Sequence, residues 1–240
     1  MGYELDWTVL LTYKQLLIDG FMMTLKLSII GILFSFIIGS IVGLAKVNKN
    51  FFVALIATYY VEFFRNIPLI VQMFFIYFSF TLTDTFPFLE TFGTQIGIEN
   101  HNEFFSALIA LITYTSTYIA EAIRGGIQSL PKGQMEASKT LGMNYIQSTY
   151  YIIFPQALKI VWGPITGQFL NLIKNSSLAM TIGVAELTFQ TQEIDSLTFR
   201  GFEAATAVTI LYLFLTLTTS AVMSFINKYI LIKTSSKVEE

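Results

Sequence analysis

Lys174 stands between two apolar stretches, 160–173 and 178–185, and is followed directly by Asn175, Ser176 and Ser177. If both stretches lie in lipid, the ammonium sits deep in it, at a cost of about 2.5–3.5 kcal/mol on insertion scales, so the charge needs a compensating role. A helix broken at this point would turn backbone N–H groups and the ammonium toward a central cavity, which is how discontinuous helices make anion sites. Two roles fit the residue types. Lys174, with Asn175 and Ser176, contacts a carboxylate ligand; or Lys174 forms a structural ion pair with Glu62 or Glu121 of this chain or a neighbouring copy, or snorkels to an interface.

Other polar side chains fall inside apolar runs. Glu62 and Arg65 are three residues apart and share a helix face, with Pro68 just beyond them, and Glu121 and Arg124 repeat the spacing. Both pairs fit either gate-locking ion pairs or plain end-of-span charges. The segment 113–118, TYTSTY, places Tyr114 and Tyr118 on one face, as cavity lining or packing, while Thr115 and Ser116 point elsewhere, toward interhelical hydrogen bonds. Glu186 either lines an outer entrance or faces water.

Much chemistry is missing. There is no G-x-x-x-x-G-K-[ST] phosphate loop, no H-E-x-x-H or Cys/His cluster, no G-x-S-x-G elbow, and His101 is the single histidine. No enzyme activity, bound metal or cofactor is expected. With no cysteine, disulfides and thiolate sites are excluded. A net charge of −2 gives no sign of a nucleic-acid partner.

The elements that must position these residues are membrane helices. The chain is 54% hydrophobic and 12% charged, where a soluble domain is about one-quarter charged. Residues 204–226 carry no charge and would span roughly 34 Å as a helix, enough for a bilayer core of about 30 Å. An all-α integral membrane protein of about five spans follows. The first span covers 21–44, where Gly39 and Gly43 form a small-xxx-small pair that either admits a neighbouring helix or has no packing role. A slanted helix to about Phe64 precedes a span from about Ile67 to Leu82, with the break at Pro68. A loop at 83–103 holds Asp84, Glu90, Glu99 and Glu103 and no Lys or Arg. Span three follows from Phe104, span four runs from Pro155 to about Lys174 with a short half-helix after it, a polar loop covers 186–203, and span five closes the chain. Lys46, Lys49, Arg124, Lys132, Lys139, Lys228, Lys233 and Lys237 then fall on one side, which makes that side cytoplasmic and puts the N-terminus outside. Glu4 and Asp6 stand where a basic leader would be, so no cleavable signal peptide is expected.

The most polar helix-prone stretch, MEASKTLGMNYIQSTYYIIFP at 135–155, therefore falls in the cytoplasm. Its small residues suit a helix seated in a groove, Gly142 suits a left-handed stop, and Pro155 suits the start of the next membrane helix. Glu136, Ala137 and Ser138, then three residues and Gly142, then nine residues and Ile152, Phe154 and Pro155, resemble the "EAA" motif of ABC importer permeases. Ser138 replaces the second Ala of that pattern and Phe154 a Leu. The segments 60–78, 118–142 and 169–188 are similar to polar-amino-acid permeases, the last to glutamate/aspartate members.

The resemblance implies a single permease domain over 1–240 with the type I ABC importer permease fold, in a prokaryotic cytoplasmic (inner) membrane. Its coupling helix, at about 134–142, would contact cytoplasmic ATPase subunits through Glu136, Ala137, Ser138, Gly142 and Pro155. The implied partners are those ATPases, which bind the ATP, a second permease copy or paralogue, an external amino-acid-binding protein, and lipid. On this view Lys174, Asn175, Ser176, Tyr114, Tyr118 and Glu121 line a substrate pathway, and Glu62, Arg65 and Pro68 form a gate. The implied substrate is an acidic amino acid, with glutamine or another polar amino acid as the alternative. A stand-alone channel or secondary transporter is the reading from a different class.

Overall fold

The computed structural model describes residues 4–131 and 133–235, with side chains described as far as Lys228. Lys132 and Lys237, counted above for orientation, lie outside the described residues, as does the side chain of Lys233. Helices account for nearly all of the chain, and no strand occurs among the described residues. In order they are α1 (Thr8–Thr12), α2 (Lys14–Lys46), α3 (Phe51–Arg65), α4 (Leu69–Ser79), α5 (Leu82–Thr85), α6 (Phe88–Gln95), α7 (His101–Gln128), α8 (Gly133–Thr140), α9 (Tyr145–Ser148), α10 (Phe154–Asn175), α11 (Leu187–Thr198) and α12 (Gly201–Ser235). A π-helical turn, Thr149–Ile153, joins α9 to α10, and a 3-10 segment, Ser176–Ile182, follows α10.

Helices α2, α7 and α12 are long and apolar enough to cross a bilayer. Helices α3 and α4 pass the same test only as a pair bent by 97°. That bend falls where Asn66 and Pro68 interrupt the pattern, and Pro68 stands just before α4 because it cannot supply an N–H to the α3 ladder. By this measure the count is three or four rather than five. Helix α10, expected as span four, has 22 residues, about 33 Å, but it carries Gln156, Lys159, Pro164, Gln168, Asn171 and Lys174 among its apolar residues. Such a helix is not apolar all round.

Two regions expected as loops are helical. Within 83–103 the chain forms α6 and most of α5, and α7 begins at His101, whose Nε2 lies 3.2 Å from Thr94 Oγ1. Within 186–203 it forms α11, because Glu186 caps that helix by accepting from Phe189 N at 2.9 Å.

The chain falls into two compact units. The first comprises residues 1–33, 67–113 and 170–218. Its core gathers Ile173, Leu187, Val208 and Leu215, with Leu17, Phe21 and Leu25 packed against them. Glu186 is fully buried there and also accepts from Tyr212 Oη at 2.5 Å, so it neither faces water nor lines an entrance. Glu186→Ala removes a cap and the short hydrogen bond to the half-buried Tyr212, whose hydroxyl keeps only Thr188 Oγ1 at 3.3 Å, and should cost about 1–3 kcal/mol. Thermal unfolding of the detergent-extracted protein checks this: Glu186→Ala should melt well below wild type, and Glu186→Gln, which keeps an acceptor, between the two.

The second unit comprises residues 34–66, 114–169 and 219–240. Here α2 meets α7 at the two glycines. A Cβ on Gly39 would lie 2.7 Å from Ile119 Cβ and 2.8 Å from the Ser116 carbonyl, and one on Gly43 would lie 2.8 Å from the Ala120 carbonyl. The small-xxx-small pair thus has the packing role. Ser116 makes the interhelical hydrogen bond expected of it, with Tyr60 as the partner, Oγ and Oη 2.8 Å apart. Trp162 Nε1 donates to the Met223 carbonyl at 2.9 Å, tying α10 to α12.

Candidate functional site

The elbow is the most exposed helix of the second unit. In α8, Glu136 and Ala137 face outward. Gly142 ends the turn at φ +78, with its N–H donating to the Lys139 carbonyl at 2.9 Å and Met143 N–H to the Ser138 carbonyl at 3.1 Å. This pair of bonds is the Schellman stop that Gly at this position favours. A Cβ at Gly142 would meet nothing within 4 Å, so the glycine is required by backbone conformation and not by space.

Ser138 behaves differently from expectation. It is fully buried, its Oγ 2.8 Å from Ser148 Oγ, and so it faces its own chain and not a groove on a partner. The Ser that replaces the motif's second Ala is matched by a second Ser ten residues on. The next helix is set by an Asn144–Gln147 capping box: Gln147 N donates to Asn144 Oδ1 at 2.9 Å, and Asn144 N to Gln147 Oε1 at 3.0 Å.

Pro155 does not open the following helix. It is the second residue of α10, and the chain is already helical from Tyr145 through the π turn. The proline has no N–H for the carbonyl four residues back, and the wider π turn stands where the ladder would otherwise break. Leu141, Ile146, Tyr150 and Tyr151 are all exposed around this elbow.

A charged cluster lies in the same unit. Glu121 Oε2 accepts from Arg124 Nε at 3.0 Å and Nη2 at 2.8 Å, Lys46 Nζ is bonded to Oε1, and Arg65 Nη1 is 3.9 Å from Oε2. Three cations from α2, α3 and α7 thus share one carboxylate. Of the two readings left open for Glu62 and Arg65, the ion pair between them is not formed: Glu62 accepts from Asn66 Nδ2 at 3.2 Å, and Arg65 Nη1 lies 3.9 Å from Glu121 Oε2. Lys46, 75 positions from Glu121, was not foreseen as its partner. The available signal was its place in the last turn of α2, where a cation is favoured. Tyr114 and Tyr118 do share a face, their hydroxyls 3.0 Å apart.

The expected pathway residues divide between the units, with Tyr114, Tyr118 and Glu121 in the second and Lys174, Asn175 and Ser176 in the first. Lys174 lies in the last turn of α10 as an exposed side chain, and no ion pair to it occurs among the described residues. The break after Lys174 is the 3-10 segment, closed by Gly183 at φ +89. Ser177 Oγ donates to the Lys174 carbonyl at 2.8 Å, and buried Ser176 Oγ to the Ile173 carbonyl at 2.7 Å. Lys174 opens on a depression of about 360 Å3 where Ser177, Thr188, Thr191, Thr209 and Tyr212 present hydroxyls. The Lys174 ammonium can donate to a carboxylate, while the hydroxyl oxygens, whose hydrogens are used within the chain, can accept from a ligand N–H.

Comparison with known proteins accords with this geometry. The family described as "Binding-protein-dependent transport system inner membrane component" matches residues 16–232. The chain is 37% identical over 221 residues to the probable glutamine ABC transporter permease protein GlnM of Bacillus subtilis (strain 168), covering 92% of this chain and 96% of that protein. It is 31% identical over 239 residues to the glutamate/aspartate import permease protein GltJ of Escherichia coli (strain K12), covering 95% and 96%. The crystal structure of an amino acid ABC transporter with histidines superposes with a TM-score of 0.76 at 31% identity, over 95% of this chain and all of that one. The MetNI methionine ABC transporter in an inward-facing conformation shares the fold, with a TM-score of 0.72 at 20% identity over 91% and 98%. The architecture is that of type I ABC importer permeases. With the match spanning nearly the whole length, the chain belongs to the family of binding-protein-dependent transport system inner membrane components.

Proposed function

We infer that the chain, as a single permease domain, is the transmembrane subunit through which an ATP-driven importer passes polar amino acids, with glutamate and aspartate as its substrates. The observation that carries the acidic reading is Lys174, an exposed ammonium with no carboxylate partner among the described residues, set among hydroxyl groups at a helix break. A second reading, glutamine, is favoured by the 37% identity to a probable glutamine permease, and the same hydroxyls would pair with a side-chain amide.

The remaining assignments follow from this inference. The N-terminus lies outside and α8 in the cytoplasm of a prokaryotic inner membrane. Exposed Glu136 and Ala137 meet an ATPase subunit, and the left-handed turn at Gly142 fixes the angle at which its motion reaches α10. A second permease subunit and an external amino-acid-binding protein complete the complex. Tyr114 and Tyr118 line the path, while the Glu121 cluster with Arg65 holds the ends of α2, α3 and α7 together near Pro68.

Uptake by the reconstituted complex tests the substrate. Lys174→Ala should lower glutamate uptake at least about tenfold, the loss of one charge-assisted contact of about 1.5–3 kcal/mol, while Lys174→Arg should keep part of it. Glutamine uptake should fall less. Equal loss for both amino acids would favour contact with the α-carboxylate that both carry; unchanged uptake would remove Lys174 from the path. Lost assembly in Lys174→Ala would make it a structural pair with another subunit.

A further inference from the structure

Within the first unit, a second polar cavity of about 330 Å3 shares no residue with the Lys174 depression. Asp19 and Lys26 of α2, Gly97 and Glu99 of the turn before α7, and Gln190 of α11 supply its polar wall. We propose that this cavity is a holding site for an amino acid, with Gln190, Asp19 and Glu99 receiving the α-ammonium and Lys26 the α-carboxylate.

Gln190 is the key observation. It is 5% exposed, and its buried Oε1 has no hydrogen-bond partner among the described residues. Its Nε2 reaches only the Ala185 carbonyl, at 3.4 Å. Buried acceptors are nearly always satisfied, so an unpaired one on a residue of the cavity wall calls for a donor. The position is built and not accidental: a Cβ on Gly20 would lie 2.6 Å from Gln190 Cγ, so the glycine is what lets this side chain enter.

The charges select the ligand. Lys26 Nζ donates to the Gly97 carbonyl at 3.1 Å, which fixes the ammonium and leaves it further hydrogens to donate. Gly97 itself adopts φ +68, and the turn it allows carries Glu99 to the wall. Two carboxylates and a carboxamide oxygen suit an ammonium, and the fixed lysine suits a carboxylate. A bare metal cation would be repelled by that lysine. A zwitterion satisfies all four groups, and the volume is in the range of small-molecule sites. The choice of an amino acid rests on the importer reading above. With the N-terminus outside, the cavity would hold an amino acid delivered there before it moves on.

The sequence has no cysteine, so a single introduced one is the one thiol of this chain, and its labelling is read on this chain's band after the subunits are separated. Met22 lines it and is exposed, and Met22→Cys in the reconstituted full complex can be labelled with a maleimide. L-Glutamate or L-glutamine at ten times its Kd should slow labelling about tenfold. The N-acetylated and carboxamide derivatives, each lacking one charge, should not. Protection should vanish in Gln190→Leu and Lys26→Met and persist in Lys174→Ala. Asn100→Cys, on the same wall, serves if Met22→Cys fails to assemble. A complex that takes up labelled amino acid yet shows no protection by any L-amino acid, or no labelling at either position, overturns the holding site and leaves the importer reading standing. Protection in a complex that transports no amino acid would instead contradict the importer reading and keep the cavity.

Discussion

Replacing Gly142 with Leu should lower amino acid uptake by a factor of about 5–30 while the complex still assembles. The factor follows from conformation alone. A left-handed residue bearing a Cβ costs about 1–2 kcal/mol, which is that much in the population of the native elbow. Steric conflict adds nothing, because a Cβ here meets no atom within 4 Å. Two bonds depend on the turn, from Gly142 N–H to Lys139 and from Met143 N–H to Ser138. Relaxing it would let α8 swing relative to the capping box of α9. Gly142→Asn should recover most of the activity, since Asn tolerates this backbone region. The reading is substrate-stimulated ATP hydrolysis beside uptake, on complexes of equal yield. Normal stimulated hydrolysis in Gly142→Leu would mean that the elbow does not carry the signal.

Gly39→Leu should have the larger effect on folding and lower the yield of extracted complex more than tenfold. Even the first added carbon would lie 2.7 Å from Ile119 Cβ and 2.8 Å from the Ser116 carbonyl, and backbone cannot step aside as a flexible side chain can. Overpacking of this kind costs about 1–3 kcal/mol per site, and a full Leu forces α2 and α7 apart. Separation would also strain the bond from Lys46 at the end of α2 to Glu121 on α7. Gly125→Ala is the matched control, because a Cβ there meets nothing within 4 Å. Equal yields for the two variants would show that the close approach of α2 to α7 does not hold the unit together.

What could be read from the sequence was what spacing and backbone conformation determine. The elbow expected at about 134–142 is α8 with its stop at Gly142, whose φ of +78 is the left-handed value the motif position demands. The break near Pro68 is a 97° bend, and the Gly39 and Gly43 face is the one that meets α7. Pairings between distant positions were not legible. Nothing near Glu186 announces Tyr212, and nothing near Glu121 announces Lys46. The spacing of Glu62 and Arg65 permits a pair without requiring one, and Arg65 turns to Glu121. The polar run after Glu186 read as a loop because its side chains are hydrophilic, but a buried cap and the apolar positions Leu187 and Ile194 make it a helix. Ser138 read as a surface residue for a partner, and only its partner Ser148 explains why it turns inward.

ATP-dependent uptake by proteoliposomes containing this chain, its ATPase and permease partners and the binding protein proposed for it tests the central claim most directly. With ATP enclosed on the side of α8 and labelled glutamate, aspartate or glutamine outside with the binding protein, the amino acid should accumulate against its gradient. Accumulation should stop without ATP, without the binding protein, and in Gly142→Leu. Uptake that only equilibrates and is indifferent to ATP, from a chain with which no ATPase co-purifies, would contradict the account and make the protein a channel.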